Sequence, residues 1–236
     1  MRKKSMNPFN HFERKIQLEF KNKKLLENVF VHRSYLNENK RFPLPANEKL
    51  EFLGDSVLSL ITSMYLYRFY PQLQEGEYTE IKSAIVRTES LAEAAKRVGI
   101  GDYLLLSKGQ DREKGRSNKN ILADTFEALI AAIFIDRGFN AAYSFVLKNL
   151  FDGRLEQIVD HKLYLSPKSR LQEYSQSRFK VTPTYEVVEE RGPEHLRTYK
   201  IVVKIGAKRY ATGLGNSKKE AEESAAKTVL AKLKIV

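Results

Sequence analysis

The chain contains no cysteine. That absence excludes disulfide bonds, thiolate metal sites and a cysteine nucleophile, and it suits a reducing compartment, so a cytoplasmic location is expected. Long apolar runs are missing as well. None approaches the roughly 18 residues that a membrane-spanning helix requires, so no membrane span is expected. The basic opening MRKKSMNPFNHFERK has no apolar segment behind it, and a secretory signal is not expected. Histidine is scarce, at four residues, and acids are the minority charge, 29 against 41 Lys plus Arg. The surplus of +12 calls for a polyanionic partner, either nucleic acid or an acidic membrane face. Apolar mass is not lacking: 42% of the 236 residues are hydrophobic, with 13 Phe and 12 Tyr, enough for a real core. The length suits one large domain or two smaller ones.

Apolar residues over the first 150 positions recur at helical spacing, and no convincing strand interrupts them. The pattern predicts helices over 11–20, 23–32, 45–69, 77–98, about 119–136 and 139–157, with Pro and Gly signals between them. From Thr184 the period changes to two: Tyr199, Ile201, Val203 and Ile205 alternate with Lys200 and Lys204. Strands are expected over 184–190, 198–205 and 208–215, between helices over about 167–178 and 217–234. The reading is an all-α domain over 11–155, a linker over 156–166 that ends at Pro167, and an α+β domain of αβββα order over 167–236. Charge divides unevenly between them. Residues 161–236 carry 16 basic and 8 acidic side chains, whereas 1–160 carry 25 and 21.

The acids of the helical part are not spread at random. In NEKLEFLGDSVLSL, Glu48, Glu51 and Asp55 fall within about 60° of one another on a helix wheel. Leu50, Leu53, Val57, Leu60, Ile61 and Met64 take the opposite side and are expected in the core. In NILADTFEALIAAIFID, Asp124 and Glu127 repeat the i, i+3 spacing opposite Phe126, Leu129, Ile130 and Ile133. One such helix is explained by a solvated face and by the preference for acids near a helix N-terminus. Two are better explained if the acidic faces meet, and facing carboxylates repel unless a cation lies among them. Magnesium suits hard oxygen ligands. Glu48 and Asp55 are separated by roughly 10 Å along the axis, so Glu51 between them is the pivotal ligand, with Asp124 and Glu127 completing the shell. Glu75, opening the next helix in QLQEGEYTE, is a candidate outer acid. Phe52 sits beside the acids, away from the core stripe.

At these residues the chain resembles the ribonuclease III family. Asn47 to Ser56 is similar to the family's signature stretch, Leu122 to Ala128 to its second acidic motif, and Val31-His32-Arg33-Ser34-Tyr35 to its early helix motif; Lys49 stands where Arg is commoner. The αβββα pattern resembles the family's double-stranded-RNA-binding domain. The resemblance implies that Glu51, Asp124 and Glu127 hold catalytic Mg2+, with Mn2+ able to substitute. It implies that Asp55 and Glu127 matter most for cleavage, with Glu48 and Glu75 supporting. It also implies that Phe52 plugs a pocket of a second subunit, so that a homodimer makes staggered cuts leaving two-nucleotide 3′ overhangs. Water is then the nucleophile, and products carry 5′ phosphate and 3′ hydroxyl. Attack by the ribose 2′-OH usually wants paired acid–base residues, and His11, His32, His161 and His195 all lie away from the acidic motifs in sequence.

Within the second domain, Ser217 and Glu220 form a capping-box pattern at the last helix. Lys218 and Lys219 stand in its first turn, where the helix dipole disfavours cations, which makes sense as a phosphate clamp. By resemblance, Gln172 and Glu173 face one minor groove and the loop holding His195 enters the next. Such domains read A-form shape and 2′-hydroxyls. The expected partners are therefore double-stranded RNA and a second copy of the chain, with no membrane and no small-molecule substrate; ribosomal RNA precursors and structured messenger or transfer RNA are the expected targets. The loop over 107–120 reads either as a solvated flexible segment or as a backbone contact. Two rival readings remain: a non-catalytic RNA-binding protein and a DNA-directed nuclease.

Overall fold

The computed structural model describes residues 9–193 and 196–235. They form two compact units that divide between Val159 and Asp160.

Helical periodicity builds the first unit from α1 (Asn10–Ile16), α2 (Lys23–Val29), α3 (Arg33–Glu38), α4 (Glu48–Phe69), α5 (Glu75–Val86), α6 (Thr88–Val98), α7 (Lys108–Arg112), α8 (Lys119–Arg137), α9 (Phe139–Val146) and α10 (Arg154–Asp160). Its centre is α8, which buries Leu122, Phe126, Leu129, Ile130 and Ile133 against α4 and α6. Side-chain caps fix where helices begin. The Asn22 amide oxygen accepts from the backbone N–H groups of Lys24 and Leu25, and that of Asn118 from Asn120 and Ile121. The sole β-type contact among the described residues of this unit is a bridge between Val31 and Leu105.

Helix boundaries depart from the sequence reading in several places. The helix expected over 11–20 ends at Gln17, which is left-handed (φ 56°). The buried Glu13 carboxylate accepts from Phe20 N–H at 2.7 Å and from the Lys23 ammonium, which holds the chain in that new direction. The stretch 23–32 stops at Val29, and extended His32 caps a separate α3. The stretch 77–98 breaks at extended Arg87 into α5 and α6. The stretch 139–157 breaks at Asp152-Gly153, where Gly153 has φ +65°. The stretch expected as a linker from 156 begins inside α10, whose Leu155 and Ile158 are buried. The loop over 107–120 holds α7 and a 3-10 turn, tied down by Arg116, which donates to Gly101 O at 3.0 Å and pairs with Asp111 at 2.7 Å. On α4 the core face comprises Leu50, Val57, Leu58, Ile61 and Leu66. Leu60 and Met64, expected in that core, are 53% and 46% exposed.

The second unit runs α11 (Pro167–Phe179), β1 (Thr184–Arg191), β2 (Thr198–Ile205), β3 (Lys208–Gly215) and α12 (Lys218–Lys232). The strands form one antiparallel sheet in the order β1-β2-β3. Both helices cover one face of it around Leu171, Val203, Ile205, Ala211, Ala225, Ala226, Val229 and Leu230. Gly213 is required by this packing, because a Cβ there would lie 2.2 Å from the Ala225 backbone nitrogen. Lys–Glu pairs such as Lys204–Glu186 cross the sheet between β2 and β1.

Candidate metal centre and RNA interface

Asn47 anchors the start of α4. Its side chain is 4% exposed; the amide donates to Val29 O at 2.9 Å and to the Thr125 hydroxyl of α8 at 3.5 Å, and its backbone N–H donates to Val31 O. Two turns later, α4 and α8 come close enough that residue 54 has no room for a side chain. These two features set the carboxylates of both helices face to face.

Glu51, Asp124 and Glu127 each bring one carboxylate oxygen to within 4.8 Å of the others, all partly buried. Burial raises the pKa of Glu51, and the charges of Asp124, Glu48 and Asp55 raise it further, against a lowering by Arg33. Asp124 is raised by burial and lowered by Arg33 and by a backbone N–H. Glu127 is pushed up to about 8 by burial first and then by the charges of Asp55, Asp124 and Glu51. Three carboxyl groups that resist ionising together form a set that a hard cation relieves. The cluster is able to hold a metal ion.

The other acids lie around it. Asp55 is exposed one turn beyond Glu51 and acts on Glu51 and Glu127 through its charge. Glu48 is exposed and lies 3.7 Å from the Arg33 guanidinium. A cleft of about 230 Å3 is lined by His32, Arg33, Asn47, Glu48, Glu51 and Asp124, together with Ile121 and Thr125. The His32 ring accepts from Ser34 N–H at 3.2 Å, and burial lowers its pKa. Glu75 does not join the cluster: it is exposed on the first turn of α5, where its carboxylate accepts from the Thr79 hydroxyl at 3.3 Å. Phe52 is 79% exposed, and Tyr67 (77% exposed), Leu60 and Met64 are exposed on the arc of α4 between Phe52 and the core stripe. The helix therefore has two apolar faces, one in the core and one in solvent.

In the second unit the Ser217 hydroxyl accepts from Glu220 N–H at 3.1 Å, while the Glu220 carboxylate accepts from Asn216 N–H at 2.8 Å. Lys218 and Lys219 are exposed at the start of α12; Lys218 lies 3.8 Å from Glu190 and over the Tyr199 ring. Gln172 and Glu173 are exposed on α11, with Glu173 paired to Lys162 at 2.8 Å. His195 lies outside the described residues.

Asn47, Gly54 and Arg33 stand inside the sequence motifs, but the pattern assigns none of them a task. Of these, only Gly54 carries a readable signal, since a glycine inside an apolar helix can mark a close backbone approach.

Comparison with known proteins agrees with this geometry. A family model described as ribonuclease-III-like matches residues 22–154, and a double-stranded RNA binding motif matches 167–233. Ribonuclease 3 of Chloroflexus aurantiacus is 43% identical over 221 residues, which is 93% of this chain and 89% of that protein. Ribonuclease 3 of Bacillus licheniformis is 39% identical over 99% of this chain and 93% of its own length. The solved nuclease domain of ribonuclease III from Campylobacter jejuni superimposes with a TM-score of 0.56 at 32% identity, covering 60% of this chain and 95% of that domain. A helical unit with a carboxylate cluster, joined to an αβββα unit and matched over nearly its whole length, places the chain in the ribonuclease III family of double-stranded-RNA endoribonucleases.

Proposed function

We propose that this endoribonuclease cuts double-stranded RNA by Mg2+-dependent hydrolysis at Glu51, Asp124 and Glu127, with Mn2+ as a working substitute. The observation that carries the reading is the convergence of these three carboxylates from α4 and α8 to within 4.8 Å. A magnesium ion held there supplies Lewis-acid chemistry, lowering the pKa of water and offsetting charge on the departing 3′ oxygen. Glu51, Asp124 and Glu127 fix its position. Asp55 holds a ligand or water in line from the next turn, Glu48 supports from the cleft wall, and Glu75 serves as an outer acid. Products carry 5′ phosphate and 3′ hydroxyl.

In the second domain Gln172, Glu173 and the loop of His195 contact minor grooves, and Ser217, Lys218 and Lys219 hold phosphates. The domain reads duplex shape with little sequence preference.

The second apolar face of α4 supports a homodimer in which Phe52 enters a pocket of the other copy. The similar Campylobacter jejuni domain is described as having a region involved in dimer formation. Two sites related by a two-fold axis then cut the two strands with a two-nucleotide 3′ overhang. The chain works in the cytoplasm on ribosomal RNA precursors and on structured messenger and transfer RNA; the lack of cysteine supports that compartment.

Incubating an end-labelled duplex with the protein, with and without Mg2+, tests the reading. Metal-dependent conversion to short duplexes with the stated ends is expected. Duplex that stays intact at saturating protein and metal would favour a protein that only binds.

A further inference from the structure

We infer that Arg33 is a substrate-phosphate contact built into the carboxylate cleft, held in place by Glu48. The inference rests on the metal reading of that cleft given above. Among the residues lining the cleft, Arg33 is the one Lys or Arg, set against Glu48, Glu51 and Asp124. Its charge reaches deep into the cluster, since it lowers the pKa of both Glu51 and Asp124.

The backbone around Arg33 is fixed on both sides. His32 N–H donates to Leu105 O at 3.2 Å, and the Ser34 hydroxyl accepts from Ser107 N–H at 3.1 Å. The side chain itself is 76% exposed, with one guanidinium nitrogen 3.7 Å from Glu48 Oε1. An exposed ion pair of that length contributes little to stability, so folding does not account for a cation here. Chemistry does. Counting Glu48 and Asp55 with the three clustered acids, five carboxylates surround the place where an anionic phosphodiester must arrive. One divalent ion leaves that surface negative. A guanidinium remains charged at any working pH and offers a planar fork that grips two phosphate oxygens. Glu48 lies against one guanidinium nitrogen, and a side chain that lines the cleft while 76% exposed is open to a ligand.

Two measurements test the assignment. Duplex binding is titrated across KCl concentrations in the presence of Mg2+, with Glu127→Gln as the non-cleaving background. Adding Arg33→Ala should weaken binding several-fold and reduce the slope of log K against log[KCl] by about one. Arg33→Lys should restore the slope, with only part of the affinity. Calorimetry with MgCl2 alone on the otherwise native chain should show Arg33→Ala binding the ion as tightly as the parent or more tightly, while its cleavage rate falls by tenfold or more. An unchanged slope, or a loss of Mg2+ affinity, would overturn the inference, because a residue that merely props the carboxylates gives that pattern. If the parent chain itself takes up no Mg2+, the metal reading fails instead, and the salt slope still reports on Arg33 alone.

Discussion

Gly54 on α4 lies directly against the backbone of Glu127 on α8: a Cβ at residue 54 would sit 1.9 Å from the Glu127 carbonyl oxygen. The contact is backbone to backbone, so no side-chain rotation relieves it. The approach of the two helices, and with it the gathering of Glu51, Asp124 and Glu127, depends on that missing methyl group.

Gly54→Ala must therefore part the helices. It should destabilise the fold by about 1–3 kcal/mol, the usual range for overpacking a close-fitting core. Urea unfolding would measure this, and Mg2+ affinity should fall along with stability. Retention of both would mean that the carboxylates are gathered by something else.

The metal-free protein should lose stability as pH rises. Glu127 is protonated up to about pH 8 in the folded chain, against an ordinary value of 4.5. Between those values the native state binds more protons than the unfolded one, so unfolding free energy falls as pH climbs through the interval. The contribution is fully present below about 4.5 and is lost by the time pH passes 8. Thermal melts at pH 5 and pH 8 should show the drop in a chelator, a smaller drop for Glu127→Gln, and recovery at pH 8 with millimolar Mg2+. A melting temperature at pH 8 that ignores both the substitution and the metal would count against the cluster.

Much of this site is legible in the sequence because two helices with strong core faces both carry carboxylates at i, i+3, which a solvated face explains for one helix but not as well for both. The αβββα unit is legible because Tyr199, Ile201, Val203 and Ile205 alternate with Lys200 and Lys204 in its middle strand, with Val202 out of phase. Other features are not. The breaks at His32 and Arg87 carry no Gly or Pro, since the first arises from a ring capping a new helix and the second from an extended backbone. Leu60 and Met64 read as core because periodicity marks a face as apolar without saying whether that face meets the chain's own core or lies in solvent. For Glu75 the pattern gives an acid at a helix start and no more, because its distance from the cluster depends on the turn between α4 and α5.

The exposed side of α4 leads to a prediction about assembly. Phe52→Ala should shift sedimentation equilibrium toward monomer and remove the dependence of melting temperature on protein concentration. The side chain is exposed, so the monomer should keep its helical circular dichroism. A chain that is monomeric before the substitution would exclude the two-fold arrangement.

At the start of α12, Lys218→Ala with Lys219→Ala should weaken duplex binding to a similar degree across unrelated sequences. The salt slope should decrease by up to about two, one for each phosphate contact removed. Filter binding on two duplexes of different sequence would show it. Weakening confined to one of them would point to base reading rather than to a phosphate clamp.

Crystals grown with Mn2+ and measured at its absorption edge address the metal centre without reference to activity. A single strong anomalous peak within ligand distance of Glu51, Asp124 and Glu127, absent from Asp124→Ala crystals, is the predicted result. Density located elsewhere, or no peak at millimolar Mn2+ with the three carboxylates ordered and apart, would contradict it.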